Sequence, residues 1–276
     1  MKTYQQNFGS ITELARFISD NEGSENTHRS SKSSRASEEW SMGINYEDAL
    51  TMARNGGHWP AGAEQLQSVS VQNAASTLAD IIAPEIINDV TGGAVDIGAY
   101  LSDDPECFLR VDDEQEQVRP VVRIAVELAV AGRIPAVDAM NRGRAVLAMV
   151  EALELQGHST ELVGTFITYE GDIRYECHIV CKQAGEPWNP SSVAFMLAHP
   201  AFSRRLGFRM VELHNEARFM SEDYYGNGSQ KISSLNGFNL YVPYLCMGDL
   251  CDTPAKALKY IERVAREQAP DLIAKH

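Results

Sequence analysis

The segment from Val121 to Tyr169 limits what this chain can fold into more than any other. It opens with Val121-Val122-Arg123-Ile124-Ala125-Val126-Glu127-Leu128-Ala129-Val130, a run rich in β-branched residues that ends before Gly132. Such a run predicts a strand with at least one well-buried face. Pro135 breaks the chain, and Asp138 is placed to cap a helix. From Ala139 to Gln156, Val146, Leu147, Val150 and Leu153 recur at three- and four-residue steps, and Gly157 stands where a left-handed residue closes a helix. Leu162 to Tyr169 reads as a second strand. Strand, helix, strand is a crossover, so the two strands are expected to lie parallel in one sheet. The fold class is therefore α/β, with α+β as the alternative: a mixed sheet containing this crossover unit.

The rest of the chain is read around that unit. Phe8 to Ser19 predicts an amphipathic helix, capped by Ser10 with Glu13 three residues on. Asn21 to Glu39 is polar and serine-rich and carries Arg29, Lys32 and Arg35. It reads as a surface loop, or as a basic arm that folds against phosphate or a partner. Trp40 and Trp59 bracket a helix from Tyr46 to Asn55 and are expected to be packing anchors. Gly62 to Ala83 is expected to be helical. Val95, Ile97 and Ala99 alternate with Asp96 and Gly98, which predicts a half-buried strand. Arg174 to Lys182 is expected to form a hairpin with Leu162 to Tyr169. Phe208 to Leu213 and Phe238 to Tyr244 read as strands, and Thr253 is placed to cap a last helix, Pro254 to Gln268. Residues 1–84 thus form a mostly helical N-terminal region, with its basic loop at 21–39, and residues 85–276 an α/β domain. The two are expected to make one compact unit.

Composition bounds the function. No apolar run approaches the roughly 20 residues that cross a bilayer, and the first residues hold no apolar leader core, so a cytoplasmic protein without a membrane partner is expected. The five cysteines, an odd number, lack CxxC spacing and read as small buried hydrophobes. The net charge of −14 opposes generic binding of duplex DNA, although it leaves room for a local basic groove. The acidic run from Asp103 to Glu116 is expected to be a solvated loop, or a face turned to a protein partner. There is no GxSxG, no HExxH and no phosphate-cradling glycine loop, so neither an enzyme nor a cofactor is the expected reading. His178 and His199 read as structural.

Single strands are gripped where rings stack bases beside cations that follow the backbone. Two stretches combine these residue types. Arg204 and Arg205 lie among Phe202, Phe208 and Arg209. Tyr224 and Tyr225 precede Lys231 in a long polar loop. The candidate nucleic-acid-binding set is therefore Arg204, Arg205, Arg209, Tyr224, Tyr225 and Lys231, helped by Arg29, Lys32 and Arg35. The plain alternatives are arginines that meet carbonyls at a helix end, and an ordinary loop.

Several stretches together resemble a family of phage and prokaryotic proteins. They are Trp40 with Tyr46-Glu47-Asp48-Ala49-Leu50 and Trp59-Pro60; Asp89-Val90 with Val95-Asp96-Ile97 and Pro105-Glu106-Cys107; Arg142-Gly143-Arg144-Ala145-Val146-Leu147; and Ala198-His199-Pro200-Ala201-Phe202-Ser203-Arg204-Arg205-Leu206-Gly207-Phe208. Within that family the chain is similar to the single-stranded-DNA-binding RNA polymerase cofactors of podoviruses that carry a virion polymerase. The resemblance implies a protein that coats melted promoter DNA and recruits a phage RNA polymerase for middle transcription, in the cytoplasm of the infected bacterial host, and a fold that is not an OB-fold, in agreement with the crossover. Single-stranded DNA and phage RNA polymerase are then the expected partners, with a homo-oligomer as an option. No binding residue carries over by position. The other readings are a host-takeover protein acting through an acidic face, and a metal-dependent enzyme.

Overall fold

A computed structural model of the chain describes residues 2–22, 37–67, 86–91, 94–102, 104–111, 121–130, 134–155, 157–170, 172–187, 189–213, 234–243, 245 and 251–270. The crossover is present as expected. Strand β5 (Val122–Glu127), helix α5 (Ala136–Leu155) and strand β6 (Thr160–Glu170) succeed one another, and β5 pairs parallel with β6. The helix starts two residues before Asp138, which lies buried in its first turn. Gly157 closes it with φ +82°, and the His158 N–H returns to Leu153 O at 3.0 Å.

The crossover sits inside a five-stranded mixed sheet, ordered β1-β7-β6-β5-β8. Strand β7 (Ile173–Lys182) forms the expected antiparallel hairpin with β6. Strand β8 (Leu240–Val242) is shorter than expected and joins β5 in parallel. Strand β1 (Lys2–Phe8) is an addition that the sequence does not announce. It pairs parallel with β7 at the sheet edge, and its polar run leaves only Phe8 buried.

One face of this sheet meets helices. Val122, Ile124 and Val126 of β5, Leu162 and Phe166 of β6, Cys177 and Ile179 of β7, and Leu240 and Val242 of β8 join a single apolar core. Helices α1 (Ile11–Asp20), α2 (Tyr46–Arg54) and α8 (Pro254–Gln268) enter that core by their apolar stripes, and α6 (Pro190–Ala198) lies within it, buried on all sides from Ser192 to Ala198. Their starts are fixed by side chains. Ser10, Asn45, Asn189 and Thr253 each accept the N–H three residues on, at 3.2, 2.8, 3.2 and 3.3 Å. Glu13 reaches back to the Gly9 N–H at 2.6 Å, one residue earlier than a standard capping box. The short helix α3 (Pro60–Gln67) comes after Trp59, which meets the His199 ring edge-on at 4.6 Å. Trp40 stacks on Phe208 at 5.5 Å, so both tryptophans are packing anchors. Helix α5 is buried on nearly all sides. Gly143 lets it approach α6, because a Cβ there would meet Ala198 Cβ at 3.2 Å.

Two predicted strands are helices. After strand β3 (Ala94–Val95), Asp96 accepts the N–H groups of Gly98 and Ala99 at 2.9 and 3.2 Å and starts the five-residue helix α4 (Ile97–Leu101). A local Asp cap here overrides the alternating pattern. Strand β3, strand β2 (Ile86–Asp89) and strand β4 (Phe108–Val111) make a separate three-stranded sheet, ordered β2-β4-β3. Phe208–Leu213 forms helix α7, which continues a π-helical turn, Phe202–Gly207. Gly207 permits that turn to press on the sheet, since a Cβ there would stand 2.7 Å from Phe166 Cε2.

Candidate functional site

The π-turn carries two of the arginines that the sequence offers as phosphate contacts, and both point inward. Arg204, Arg205 and Arg209 are 7%, 1% and 4% exposed. Arg205 donates from Nε to Ser41 Oγ at 2.9 Å and Ile44 O at 3.2 Å, and from Nη2 to Ser37 O at 3.1 Å. Arg204 donates to Trp40 O and lies over the Trp40 ring. Arg209 pairs with Glu212 at 3.4 Å and sits over Tyr46. A guanidinium taken from water needs acceptors, and here Ser37, Trp40, Ser41 and Ile44 accept from Arg204 and Arg205, while Glu212 accepts from Arg209. The expectation that Arg204, Arg205 and Arg209 follow a DNA backbone is corrected. Arg204 and Arg205 fasten the segment before α2 onto the core. The arginines do meet carbonyls, as the plain alternative held, but those of a distant segment rather than of their own helix. Tyr224, Tyr225, Lys231, Arg29, Lys32 and Arg35 lie outside the described residues.

The structure gathers rings and cations elsewhere, on the sheet face away from the main core. Period-two alternation puts Arg174, Glu176 and His178 of β7, Thr165, Ile167 and Tyr169 of β6, and Arg123 and Glu127 of β5 on that face. Arg174 lies over the Tyr169 ring at 5.6 Å and pairs with Glu176 at 2.6 Å. The other oxygen of Glu176 holds His178 Nε2 at 2.6 Å. His178 meets Phe238 edge-on at 5.5 Å, and Arg123 lies 4.9 Å over Phe238. Arg123 completes the row with a two-pronged pair to Glu161 at 2.9 and 3.2 Å. Burial pushes the Glu176 carboxyl up, but the His178 hydrogen bond and the Arg174 charge outweigh it, and the net shift is downward. The result is a continuous diagonal: Tyr169, Arg174, His178, Phe238, Arg123. Sequence reasoning misses it because its members come from three strands and a loop. The only signal is that both predicted hairpin strands alternate.

A second centre lies where β5 ends. Glu127 is wholly buried. Strand β6 runs on past it, which leaves β6 N–H groups without a β5 partner. The Glu127 carboxylate takes that role: Oε1 accepts from Ala129 N at 3.1 Å and Ile167 N at 3.3 Å, and Oε2 accepts from Thr165 Oγ1 at 3.4 Å and Tyr241 OH at 3.3 Å. Burial still dominates these four donors and the nearby Arg142 charge, and pushes the carboxyl up to about 8. Arg142 of α5 is also wholly buried. No sequence signal marks Glu127, which lies inside the largely apolar run from Val121 to Val130. Tyr241 reads from sequence only as a strand residue.

Of the described cysteines, Cys107, Cys177 and Cys251 are buried as expected and Cys181 is half-buried, while Cys246 lies outside the described residues. Cys107, Cys177, Cys181 and Cys251 are free thiols, and burial pushes Cys181 up to about 12. Cys177 Sγ touches Met210 Sδ at 3.0 Å. His199 is a core histidine whose Nδ1 accepts from Ala201 N at 3.0 Å, and burial lowers it to about 4. Among the described residues no three His, Cys, Asp or Glu side chains converge to hold a metal ion, and no helix is long and apolar enough to cross a membrane.

No curated protein and no solved structure matches the chain. One family model does, over residues 1–264, and it is described as a domain of unknown function, DUF7192. That match takes in the crossover, the fastened arginines, the ring-and-cation diagonal and most of α8: the chain belongs to the DUF7192 family.

Proposed function

We propose that this protein binds single-stranded DNA and acts as a phage transcription cofactor that brings RNA polymerase to melted promoters. The observation that carries the reading is the diagonal of Tyr169, Arg174, His178, Phe238 and Arg123. Rings beside guanidinium groups on a sheet face suit unpaired bases, because every base has a π-face to stack and a phosphate to follow. The net charge of −14 disfavours long contact with duplex, whose charge density is higher. The resemblance to phage single-stranded-DNA-binding cofactors supports the same reading.

A polymerase contact has its own support. Helix α4 presents Ile97, Tyr100 and Leu101 at 69%, 62% and 77% exposure. That is the i, i+3, i+4 spacing of residues that enter an apolar groove. Asp89, Asp104 and Glu106 stand nearby in the chain, and residues 86–111 hold five acidic side chains against Arg110 alone. The complementary surface is an apolar groove with a basic rim. Like charge disfavours a second copy of this chain there.

A gel shift with labelled oligonucleotides tests the reading. Single-stranded DNA is expected to shift at micromolar protein and low salt, and duplex is not. Tyr169→Ala with Phe238→Ala is expected to weaken binding by at least tenfold, since each stacked base contributes roughly 1–3 kcal/mol. No shift with the unaltered chain, while Ile97→Asp with Leu101→Asp abolishes polymerase binding, leaves a protein that works by protein contact alone.

A further inference from the structure

We infer that the carboxyl ends of β5 and β8 form a binding site for an oxyanion, a carboxylate or phosphate group received by one edge of the Arg142 guanidinium. This goes beyond the nucleic-acid reading and does not rest on it. Arg142 is 0% exposed. Its Nη1 donates to Pro243 O at 3.3 Å, and Tyr260 OH donates to the same carbonyl at 3.4 Å. Its Nε and Nη2 donate to no acceptor among the described residues. Those two groups share one edge of the guanidinium, the fork that takes a carboxylate or phosphate side-on. The same chain shows that fork filled elsewhere: Arg123 offers its Nε and Nη2 to the two oxygens of Glu161. A buried fork without acceptors is strongly unfavourable, so a fold that keeps one is expected to have an acceptor for it.

The position suits a ligand. The chain leaves β5 through α5 to reach β6 on one side, while β8 lies parallel on the other. In open α/β sheets, ligands bind outside the carboxyl ends of the strands where the order switches in this way. Glu127 ends β5 there. Its carboxyl feels the Arg142 charge, and the other titrating groups it acts on are Tyr241, Tyr169 and Cys177. When Glu127 holds a proton, the Arg142 charge is unopposed and attracts an anion. When Glu127 ionises, it cancels that charge. Anion affinity is therefore expected to fall as pH rises through about 8, where Glu127 titrates.

Titration calorimetry on the full chain tests this, with sulfate and acetate as probes at constant chloride, neither of which titrates between pH 7 and 9. The unaltered protein is expected to bind one probe saturably, about tenfold more weakly at pH 9 than at pH 7. Preference for sulfate indicates a phosphate-bearing ligand, and preference for acetate a carboxylate. Arg142→Lys keeps the charge but removes the fork, and is expected to lose at least tenfold in affinity. Glu127→Gln is expected to bind equally at both pH values. Absence of saturable binding to either probe overturns the proposal, as does equal binding by Arg142→Lys. Should Arg142→Lys not fold, an unchanged pH dependence in Glu127→Gln overturns it instead.

Discussion

Glu127→Gln is the substitution whose effect on stability the structure constrains most closely. Glutamine keeps the shape, and its oxygen can accept from Ala129 N and Ile167 N as Oε1 does now. Its amide can donate to Thr165 Oγ1 and Tyr241 OH, both of which also accept. What the change removes is the titration. Burial raises the Glu127 carboxyl from an ordinary 4.5 to about 8. The folded state thus holds its proton more tightly than the unfolded chain does. The stabilisation from that proton is complete below about 4.5 and is lost as pH rises to about 8. At roughly 1.4 kcal/mol per unit, the loss is on the order of 5 kcal/mol, an upper figure and a large part of a typical stability of roughly 5–15 kcal/mol. Urea unfolding of both proteins at pH 5, 6, 7, 8 and 9 reads it directly. The variant is expected to gain on the parent by about one kcal/mol or more per pH unit up to pH 8 and to level off above it. Groups titrating alike in both proteins cancel in the difference. A difference that stays flat from pH 5 to 9 refutes the claim that Glu127 is buried as a costly carboxylate.

Arg205→Ala is expected to destabilise the fold by roughly 3 kcal/mol, because it removes three charge-assisted hydrogen bonds, to the Ser37 and Ile44 carbonyls and the Ser41 hydroxyl, and leaves those carbonyls only their neutral partners Trp40 N and Ser41 Oγ; denaturant midpoints measure this, and a neutral result would return Arg205 to the surface contacts. His199 titrates the other way from Glu127. Burial lowers it from 6.5 to about 4, so its contribution is present above 6.5 and fades as pH falls towards 4, and His199→Gln is expected to flatten the acid limb of a thermal melt. Gly207→Ala sets a Cβ against the Phe166 ring and is expected to cost about 1–3 kcal/mol in urea unfolding.

Much of the architecture is legible in the sequence because it obeys local rules. The β5–α5–β6 unit announces itself by β-branched runs around a helical period, and Ser10, Asn45 and Thr253 sit where side-chain caps belong. The failures have particular causes. Lys2 to Phe8 carries too few apolar residues to read as a strand, and it is one only because β7 offers an edge. Val95 to Ala99 alternates like a strand, but the Asp96 cap decides for a helix over Ile97 to Leu101. Arg204 and Arg205 look like surface cations until the backbone of residues 37–44 is brought to them from more than 150 residues away. The Glu127 centre draws Tyr241 from β8, and the ring-and-cation diagonal draws Phe238 from the loop before it, so no short window of sequence contains either one whole.

The register of β1 also bears on how the molecule is made. Lys2 to Phe8 hydrogen-bonds to Ile173 to Ile179, a partner that does not yet exist when β1 leaves the ribosome. At roughly 5–20 residues per second, the nascent chain waits on the order of ten to thirty seconds before that edge appears. During synthesis the hairpin of β6 and β7 can form from neighbouring sequence, whereas β1 can dock only once β7 has been made.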